Sequence, residues 1–187
     1  MHGRLVYVMG PSGAGKDSLL HALHRRLQGL PVVFARRYIT RPASAGGEQH
    51  IPVNREQFEA LSEQGYFSLQ WNSHGLRYGI SAQSDMLLEH GVSLIVNGSR
   101  AAFPEAVRRY PDILPVLISV PPEMLRARLT SRGRESGEAL EERLQRAFMP
   151  IPDENAVPEW IRIDNSGTLE ASADVLEKAL RRSLHLN

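Results

Sequence analysis

The chain has 187 residues, which is enough for one substantial hydrophobic core but short for two domains of ordinary size. Its 22 lysines and arginines nearly balance 21 aspartates and glutamates, so no overall charge is available to attract nucleic acid or an anionic membrane. Hydrophobic residues at 42% and charged residues at 23% exclude disordered and collagen-like classes. We therefore expect one folded domain.

The first thirty residues predict a strand, a glycine-rich loop and a helix. Residues 5–9 form a short apolar run, rich in branched and aromatic side chains, of the kind found in buried parallel strands. Leucines then recur at helical spacing over residues 17–27, and Gly29 ends the pattern.

The rest of the chain predicts further strands and helices in alternation, around a loop at 41–52 that proline and glycine interrupt. Asn54 is a candidate N-cap for the first of these helices. We predict strands over 32–39, 66–71, 75–80, 92–97, 116–120 and 160–163, and helices over 54–62, 82–90, 102–110, 123–132, 138–148 and 169–184. This order is typical of an α/β fold, with a mostly parallel sheet covered by helices on both faces.

The segment after the first predicted strand matches the Walker A pattern up to its last position. It comprises Gly10, Pro11, Ser12, Gly13, Ala14, Gly15 and Lys16. Glycines let backbone N–H groups turn inward around phosphate oxygens, and the start of a helix adds partial positive charge. A turn that merely joins a strand to a helix has no need of a lysine at this position. We predict that residues 10–18 bind ATP and that Lys16 reaches its terminal phosphates.

The residue after Lys16 departs from the usual pattern. A serine or threonine normally stands there and ligates Mg²⁺, whereas this chain has Asp17 followed by Ser18. A carboxylate is also a hard oxygen ligand, so we predict that Asp17 holds Mg²⁺ bound with ATP. The alternative is that Asp17 only favours the start of the helix through the helix dipole.

Other residue types are rare or missing. The chain has no cysteine, which excludes disulfides, thiolate metal sites and a cysteine nucleophile. Lysine occurs only at Lys16 and Lys178, so arginine provides most of the positive charge. Arginine suits bidentate binding of phosphate, although codon preference explains the same bias. With no apolar run near the roughly 18 residues that span a bilayer, and no signal-peptide core, we expect a cytoplasmic protein that binds neither membrane nor nucleic acid.

Four segments together resemble the guanylate kinase family over nearly the whole chain. They are GPSGAGKDSLL, RYITRP followed by GGE, FSLQWNSHGLRYGI, and RLTSRGRES with a later ERL. The resemblance implies a P-loop NTPase fold in one domain, with an acceptor-binding subregion at about 33–80 and a lid at about 123–148. It also implies a kinase that uses ATP with Mg²⁺.

Three departures from the guanylate kinase pattern point to a different acceptor. The phosphate-binding segment here begins with Arg37, the glutamate that reads guanine is replaced by Gln70, and an acidic strand end is replaced by residues 96–100, ending in Arg100. Compared with the guanylate kinase pattern, this chain has lost carboxylates and gained arginines at these positions. The exchange favours an acceptor with more phosphate groups and no base. The details are most similar to members that convert ribose 1,5-bisphosphate to 5-phosphoribosyl 1-diphosphate in phosphonate utilisation.

The resemblance also implies roles for individual side chains. The residues implied to bind the acceptor are Arg37, Arg41, Glu48, Gln70, Tyr78 and Arg100. Lys16, Arg132 and Arg143 are implied to stabilise the transferring phosphoryl group, with Arg134 and Arg146 nearby. Residues 163–165 resemble the segment that touches adenine. The alternative to these roles is that Arg41 and the lid arginines are exposed surface residues. The lid arginines would then form ion pairs with neighbouring glutamates.

Two other functions remain open at this point. One is a nucleoside monophosphate kinase acting on a purine, which would show activity that depends on a base. The other is a non-catalytic guanylate kinase-like module that binds phosphopeptides. Such modules need neither the P-loop lysine nor the lid arginines, and this chain has both.

Overall fold

The computed structural model describes residues 2–45, 49–131, 133 and 137–186. The strands are β1 (Leu5–Met9), β2 (Val32–Phe34), β3 (Tyr38–Ile39), β4 (Ile51–Pro52), β5 (Phe67–Ser73), β6 (Leu76–Ser81), β7 (Ser93–Asn97), β8 (Leu114–Ser119) and β9 (Ile161–Asp164). The helices are α1 (Lys16–Arg26), α2 (Arg55–Glu63), α3 (Asp85–Glu89), α4 (Phe103–Arg109), α5 (Pro122–Ser131), α6 (Glu138–Ala147) and α7 (Leu169–Ser183). Single turns of 3₁₀ helix precede α3 and α4, at 82–84 and 100–102, so both α-helices are shorter than predicted.

The main sheet contains five strands in the order β2-β7-β1-β8-β9. Every neighbouring pair among them is parallel, as the alternation of strands and helices predicts. The carboxyl ends of β1 and β7 lie side by side, with Val8 paired to Asn97. Loops that follow these strands therefore meet at one edge, where parallel α/β sheets bind their ligands.

The central strand β1 is buried on both faces and divides the core into two layers. Val6 and Val8 pack into a cluster with residues of α1, α5, α6 and α7. Leu5, Tyr7 and Met9 point to the opposite layer, which includes residues of α4. Successive side chains of a strand alternate between faces, so this uninterrupted apolar run supplies both layers.

A second sheet is formed by β4-β3-β6-β5, with β5 and β6 as an antiparallel hairpin. The predicted single strand over 32–39 is wrong, because it divides into β2 in the main sheet and β3 in this one. The predicted loop at 41–52 likewise ends in β4, which pairs in parallel with β3. Partner strands distant in sequence decide these pairings, and local apolar pattern does not encode them.

Helices α5 and α6 form the pair predicted as a lid. Leu125 and Leu129 of α5 lie against Gly13 of the phosphate loop. Leu140 and Leu144 of α6 are buried in the core cluster next to α1 and α7. Arg126 of α5 also forms an exposed ion pair with Glu141 of α6. None of the helices in the described ranges is long and apolar enough to cross a membrane.

The turn after β7 lies against the ring of Tyr7. A Cβ atom added to Gly98 would come within 2.0 Å of that ring, so only glycine fits. The Tyr7 hydroxyl donates a hydrogen bond to the Ser99 carbonyl at 2.9 Å and accepts one from the Ser99 N–H at 3.0 Å. Burial raises the pKa of Tyr7, so its hydroxyl stays protonated at neutral pH. The turn at 98–99 is thus fixed to the central strand.

We expect Gly98→Ala to destabilise the protein by about 1–3 kcal/mol or more, because the added methyl group has no space beside Tyr7. Urea unfolding followed by circular dichroism measures the change. Gly167→Ala is the matched control, since nothing lies within 4 Å of its added Cβ. Equal stability of the two variants would contradict the close approach.

Candidate active site

A cavity of about 580 Å³ opens at the carboxyl edge of the main sheet. Its wall combines the phosphate loop, the turn after β7, the β5-β6 hairpin and the last turn of α6 with the residues that follow it. The volume is within the range of small-molecule sites, about 300–1,000 Å³. Three regions far apart in sequence therefore share one site with the phosphate loop.

The phosphate loop has the backbone geometry that its glycines predict. Gly15, just before α1, has a φ of 86°, in the left-handed region that favours glycine. Lys16 folds back over the loop, and its Nζ donates to the carbonyl oxygens of Gly10 at 2.8 Å and Pro11 at 3.1 Å. The lysine charge is thereby held at the mouth of the loop, in the cavity.

Asn165 and Arg128 support this loop from behind. The buried amide of Asn165 donates to the Ala14 carbonyl at 2.7 Å. Arg128 of α5 donates to the Asn165 carbonyl at 3.0 Å and more weakly to Ala14 at 3.4 Å. The sequence placed Asn165 in a segment that touches adenine. Its side chain contacts the loop backbone, a role that no sequence pattern indicated.

Asp17 lies at the cavity and is paired with the end of β7. The side-chain N–H of Asn97 donates to Asp17 Oδ1 at 3.1 Å. The hydrogen bond orients the carboxylate and leaves its charge in place. A carboxylate with a neighbouring amide is a hard oxygen donor set, which fits Mg²⁺ because this ion takes one or two protein oxygens together with phosphate. The described residues contain no cluster of three or more metal-binding side chains that would offer a closed cage instead.

Arg37 and Tyr78 form part of the opposite wall. Arg37 donates to the Asn97 carbonyl at 2.7 Å, and its guanidinium lies 5.0 Å from the centroid of the Tyr78 ring. Tyr78 stacks in turn on Trp71, with the two rings 5.4 Å apart and nearly parallel at 3°. Trp71 was not predicted as a site residue, although it adjoins the predicted Gln70.

Two of the other predicted acceptor residues, Gln70 and Arg41, do not line the cavity. Gln70 is exposed and accepts a hydrogen bond from the Ser62 hydroxyl at 2.7 Å. It does not line the cavity, because side chains alternate along β5 and Gln70 lies on the opposite face from Trp71. Arg41 also lies outside the cavity lining, beside the buried His50, whose Nε2 donates to the Arg41 carbonyl at 2.9 Å. The buried Nε of Arg41 has no hydrogen-bond partner among the described residues. Glu48 lies outside the described residues.

Helix α6 contributes two arginines to the cavity. Arg143 donates to the Ser12 hydroxyl of the phosphate loop at 2.7 Å, and Arg146 lies one turn further along α6. Arg132 and Arg134 lie outside the described residues. Of the two arginines predicted to be catalytic, Arg132 and Arg143, the structure therefore describes Arg143, which lies at the loop.

Arg100 lines the cavity but its guanidinium reaches the end of α6. It donates to the carbonyl oxygens of Arg146, Ala147 (2.6 Å) and Met149 (3.3 Å). Burial lowers its pKa from the ordinary arginine value, yet arginine remains protonated in proteins. The prediction that Arg100 binds the acceptor did not anticipate these contacts.

The charges on the cavity wall are strongly unequal. Of the described residues that line it, Asp17 is the one carboxylate, against five side chains with permanent positive charge: Lys16, Arg37, Arg100, Arg143 and Arg146. In a cleft partly shielded from water, charges of one sign concentrate the potential. The site is therefore suited to ligands with several negative charges.

The fold is that of guanylate kinase, a P-loop kinase. The structure is similar to guanylate kinase from Anaplasma phagocytophilum with a TM-score of 0.71 at 17% sequence identity, over 98% of this chain and 87% of that one. This likeness confirms the predicted α/β P-loop fold.

Relatives in sequence define the family within that fold. The chain is 49% identical to ribose 1,5-bisphosphate phosphokinase PhnN of Desulfomicrobium baculatum over 92% of its own length and 91% of the relative's. Identity is 46% to the protein of that name from Chromobacterium violaceum and 43% to that from Azotobacter vinelandii, each over at least 94% of both chains. No family model matches the chain. The protein belongs to the ribose 1,5-bisphosphate phosphokinase family, as the motifs predicted.

We expect Asn165→Ala to weaken ATP binding about fivefold to tenfold. The change removes the closest hydrogen bond to the Ala14 carbonyl, and loss of such a bond costs about 1 kcal/mol. Calorimetric titration with a non-hydrolysable ATP analogue gives the dissociation constant. The control is Ser172→Ala, a nearby buried position whose hydroxyl makes only a 3.5 Å contact. Unchanged affinity in Asn165→Ala would show that the phosphate loop does not need this support.

Proposed function

We propose that this protein transfers the γ-phosphoryl group of ATP to the 1-phosphate of ribose 1,5-bisphosphate, giving 5-phosphoribosyl 1-diphosphate and ADP. The observation that carries the proposal is the cavity beside the phosphate loop, whose described lining residues include five cationic side chains and one carboxylate. ATP and a sugar bisphosphate together bring several negative charges to one place. The relatives' names supply the identity of the acceptor.

The donor would bind at residues 10–18. Backbone N–H groups of the glycine-rich loop and the start of α1 hold the terminal phosphates, and Lys16 lies within reach of them. Mg²⁺, held with ATP by Asp17, would supply neutralisation of charge on the phosphate oxygens. Asn97 keeps the Asp17 carboxylate oriented for that contact. ATP as donor fits a reaction in the cytoplasm, which is where we propose that it takes place.

The acceptor would bind between the small sheet and the phosphate loop, in the subregion at about 33–80. Arg37 is held at the cavity by the Asn97 carbonyl and the Tyr78 ring, which together orient its guanidinium. We assign Arg37 and Tyr78 to one phosphate of the acceptor. Arg41, whose buried Nε lacks a partner among the described residues, and Glu48 are proposed to contact the acceptor at the edge of the same subregion.

The transfer requires little covalent chemistry from the protein. A 1-phosphate oxygen of the acceptor forms a bond to the γ-phosphorus of ATP as the bond from that phosphorus to the β,γ-bridging oxygen breaks, and ADP takes the electron pair. An acceptor that is already a phosphate anion needs no general base. The side chains of Lys16 and Arg143 stabilise the charge that spreads over the transferring group.

The lid would exclude water as a competing acceptor. Helix α6, and α5 apart from its first residue Pro122, lie within the predicted lid at 123–148, and Arg143 already bridges to Ser12. Bound phosphates would draw Arg143 and Arg146 further over the loop, along with Arg132. A site closed in this way favours transfer to the sugar phosphate over hydrolysis of ATP.

The placement of Gln70 weighs against a purine nucleotide as acceptor. The Gln70 amide stands where the resemblance places the side chain that reads guanine, and here it is bonded to Ser62 outside the cavity. A phosphopeptide-binding module is disfavoured for another reason, because Lys16 and Arg143 are both retained at the phosphate loop.

The test is a coupled assay of ADP release with ATP and Mg²⁺, comparing ribose 1,5-bisphosphate with GMP and AMP at equal concentration. We expect strong turnover with the ribose compound alone. Lys16→Ala should reduce it at least about a hundredfold, because a charged donor to the transferring group is lost. Lys178→Ala, at the remaining lysine, is the matched control and should retain full turnover. Comparable turnover with GMP would refute the proposed acceptor.

Asp17 offers a separate test of the metal site. We expect Asp17→Ala to raise the Mg²⁺ concentration needed for half-maximal binding of an ATP analogue by about tenfold, because a hard oxygen ligand is removed. Asp17→Ser restores a hydroxyl at this position and should recover most of the loss. Titration of analogue binding with Mg²⁺ reports this without turnover. An unchanged Mg²⁺ requirement in Asp17→Ala would mean that Asp17 only favours the start of α1.

A further inference from the structure

The end of β7 and the turn that follows it connect three parts of the cavity: the phosphate loop, the acceptor side and the end of α6. Asn97, the last residue of β7, contacts the phosphate loop through Asp17 and the acceptor side through Arg37. Arg100, at the far end of the turn, contacts the end of α6. Between them, Gly98 and Ser99 are fixed against Tyr7 of the central strand. Arg100 thus extends from a rigid base.

The carbonyl oxygens at the end of a helix have no partner within the helix, and they carry its partial negative charge. Arg100 satisfies three carbonyl groups at and just beyond the end of α6, those of Arg146, Ala147 and Met149. A guanidinium suits this position because its planar donors can reach several oxygens at once. The contact is both a hydrogen-bonded cap and a favourable interaction with the helix dipole.

The capped end of α6 also carries Arg143 and Arg146. Arg143 lies one turn before Ala147 and donates to Ser12 of the phosphate loop. The apolar side of α6 is fixed to the core by Leu140 and Leu144. These packing contacts fix how closely α6 lies against the core. The cap fixes the position of its C-terminal end along the helix axis.

We propose that Arg100 is a positioning residue that holds the C-terminal turn of α6 and thereby places Arg143 at the phosphate loop. It acts through the lid and does not bind the acceptor, which was the role predicted from the sequence. A displacement of about 1 Å in a group that stabilises the transition state can lower the rate about a hundredfold. Loss of the cap is therefore expected to lower kcat and to leave the KM of the acceptor nearly unchanged.

The first test measures α6 directly and needs no substrate. In Arg100→Ala, amide hydrogen exchange of residues 143–149 should become at least about tenfold faster, with exchange in β1 unchanged. Arg100→Lys should recover part of the protection, because an ammonium group can still donate to the carbonyls. The control is Arg108→Ala, an exposed arginine of the neighbouring α4 that pairs with Glu105. Unchanged exchange in Arg100→Ala would overturn the proposal.

The second test is kinetic and rests on the proposed function. We expect Arg100→Ala to lower kcat about tenfold to a hundredfold, with the KM for ribose 1,5-bisphosphate changed less than threefold. Because Arg100 acts through Arg143, the double variant with Arg143→Ala should be little slower than Arg143→Ala alone. A KM raised tenfold or more with unchanged kcat would instead show direct contact with the acceptor. If the unaltered protein fails to turn over this acceptor, the proposed function fails, and hydrogen exchange still decides the role of Arg100.

Discussion

The site depends on keeping five like charges together around one cavity. Such a cluster repels itself in the absence of ligand, so each side chain needs an anchor that fixes its position and preserves its charge. The anchors that the structure describes are backbone carbonyls for Lys16, Arg37 and Arg100, and a serine hydroxyl for Arg143.

Carbonyl oxygens become available where regular structure ends, which explains the location of the site. The phosphate loop follows β1, the Asn97 carbonyl ends β7, and the carbonyls that Arg100 contacts end α6. The parallel sheet brings the first two side by side, and packing of α6 on the core brings the third. One edge of the fold thus supplies both the oriented donors for phosphate and the acceptors that position the arginines.

The same arrangement gives a physical account of acceptor choice within the guanylate kinase fold. On the acceptor side, the wall that faces the cavity presents Arg37 on the stacked rings of Tyr78 and Trp71, and Gln70 is turned outward on the other face of β5. This wall offers positive charge to a phosphate group. The Gln70 amide, which could hydrogen-bond the edge of a base, faces away from the cavity. The fold is shared with guanylate kinase at 17% identity, and acceptor choice is a property of the site that this fold carries.

The sequence by itself determined the fold class, the phosphate loop and the family, because these are encoded in local pattern: a buried apolar strand, glycines at fixed spacing, a lysine and motifs of contiguous residues. It also named Lys16, Asp17, Arg37, Tyr78 and Arg143, which the structure places around one cavity. It could not give the split of residues 32–39 between two sheets, the outward orientation of Gln70 or the support of the loop by Asn165. Only the tertiary structure decided these features and the contacts of Arg100. The strand pairings, the support from Asn165 and the contacts of Arg100 depend on partners that lie tens of residues away, and the orientation of Gln70 depends on which face of β5 meets the cavity.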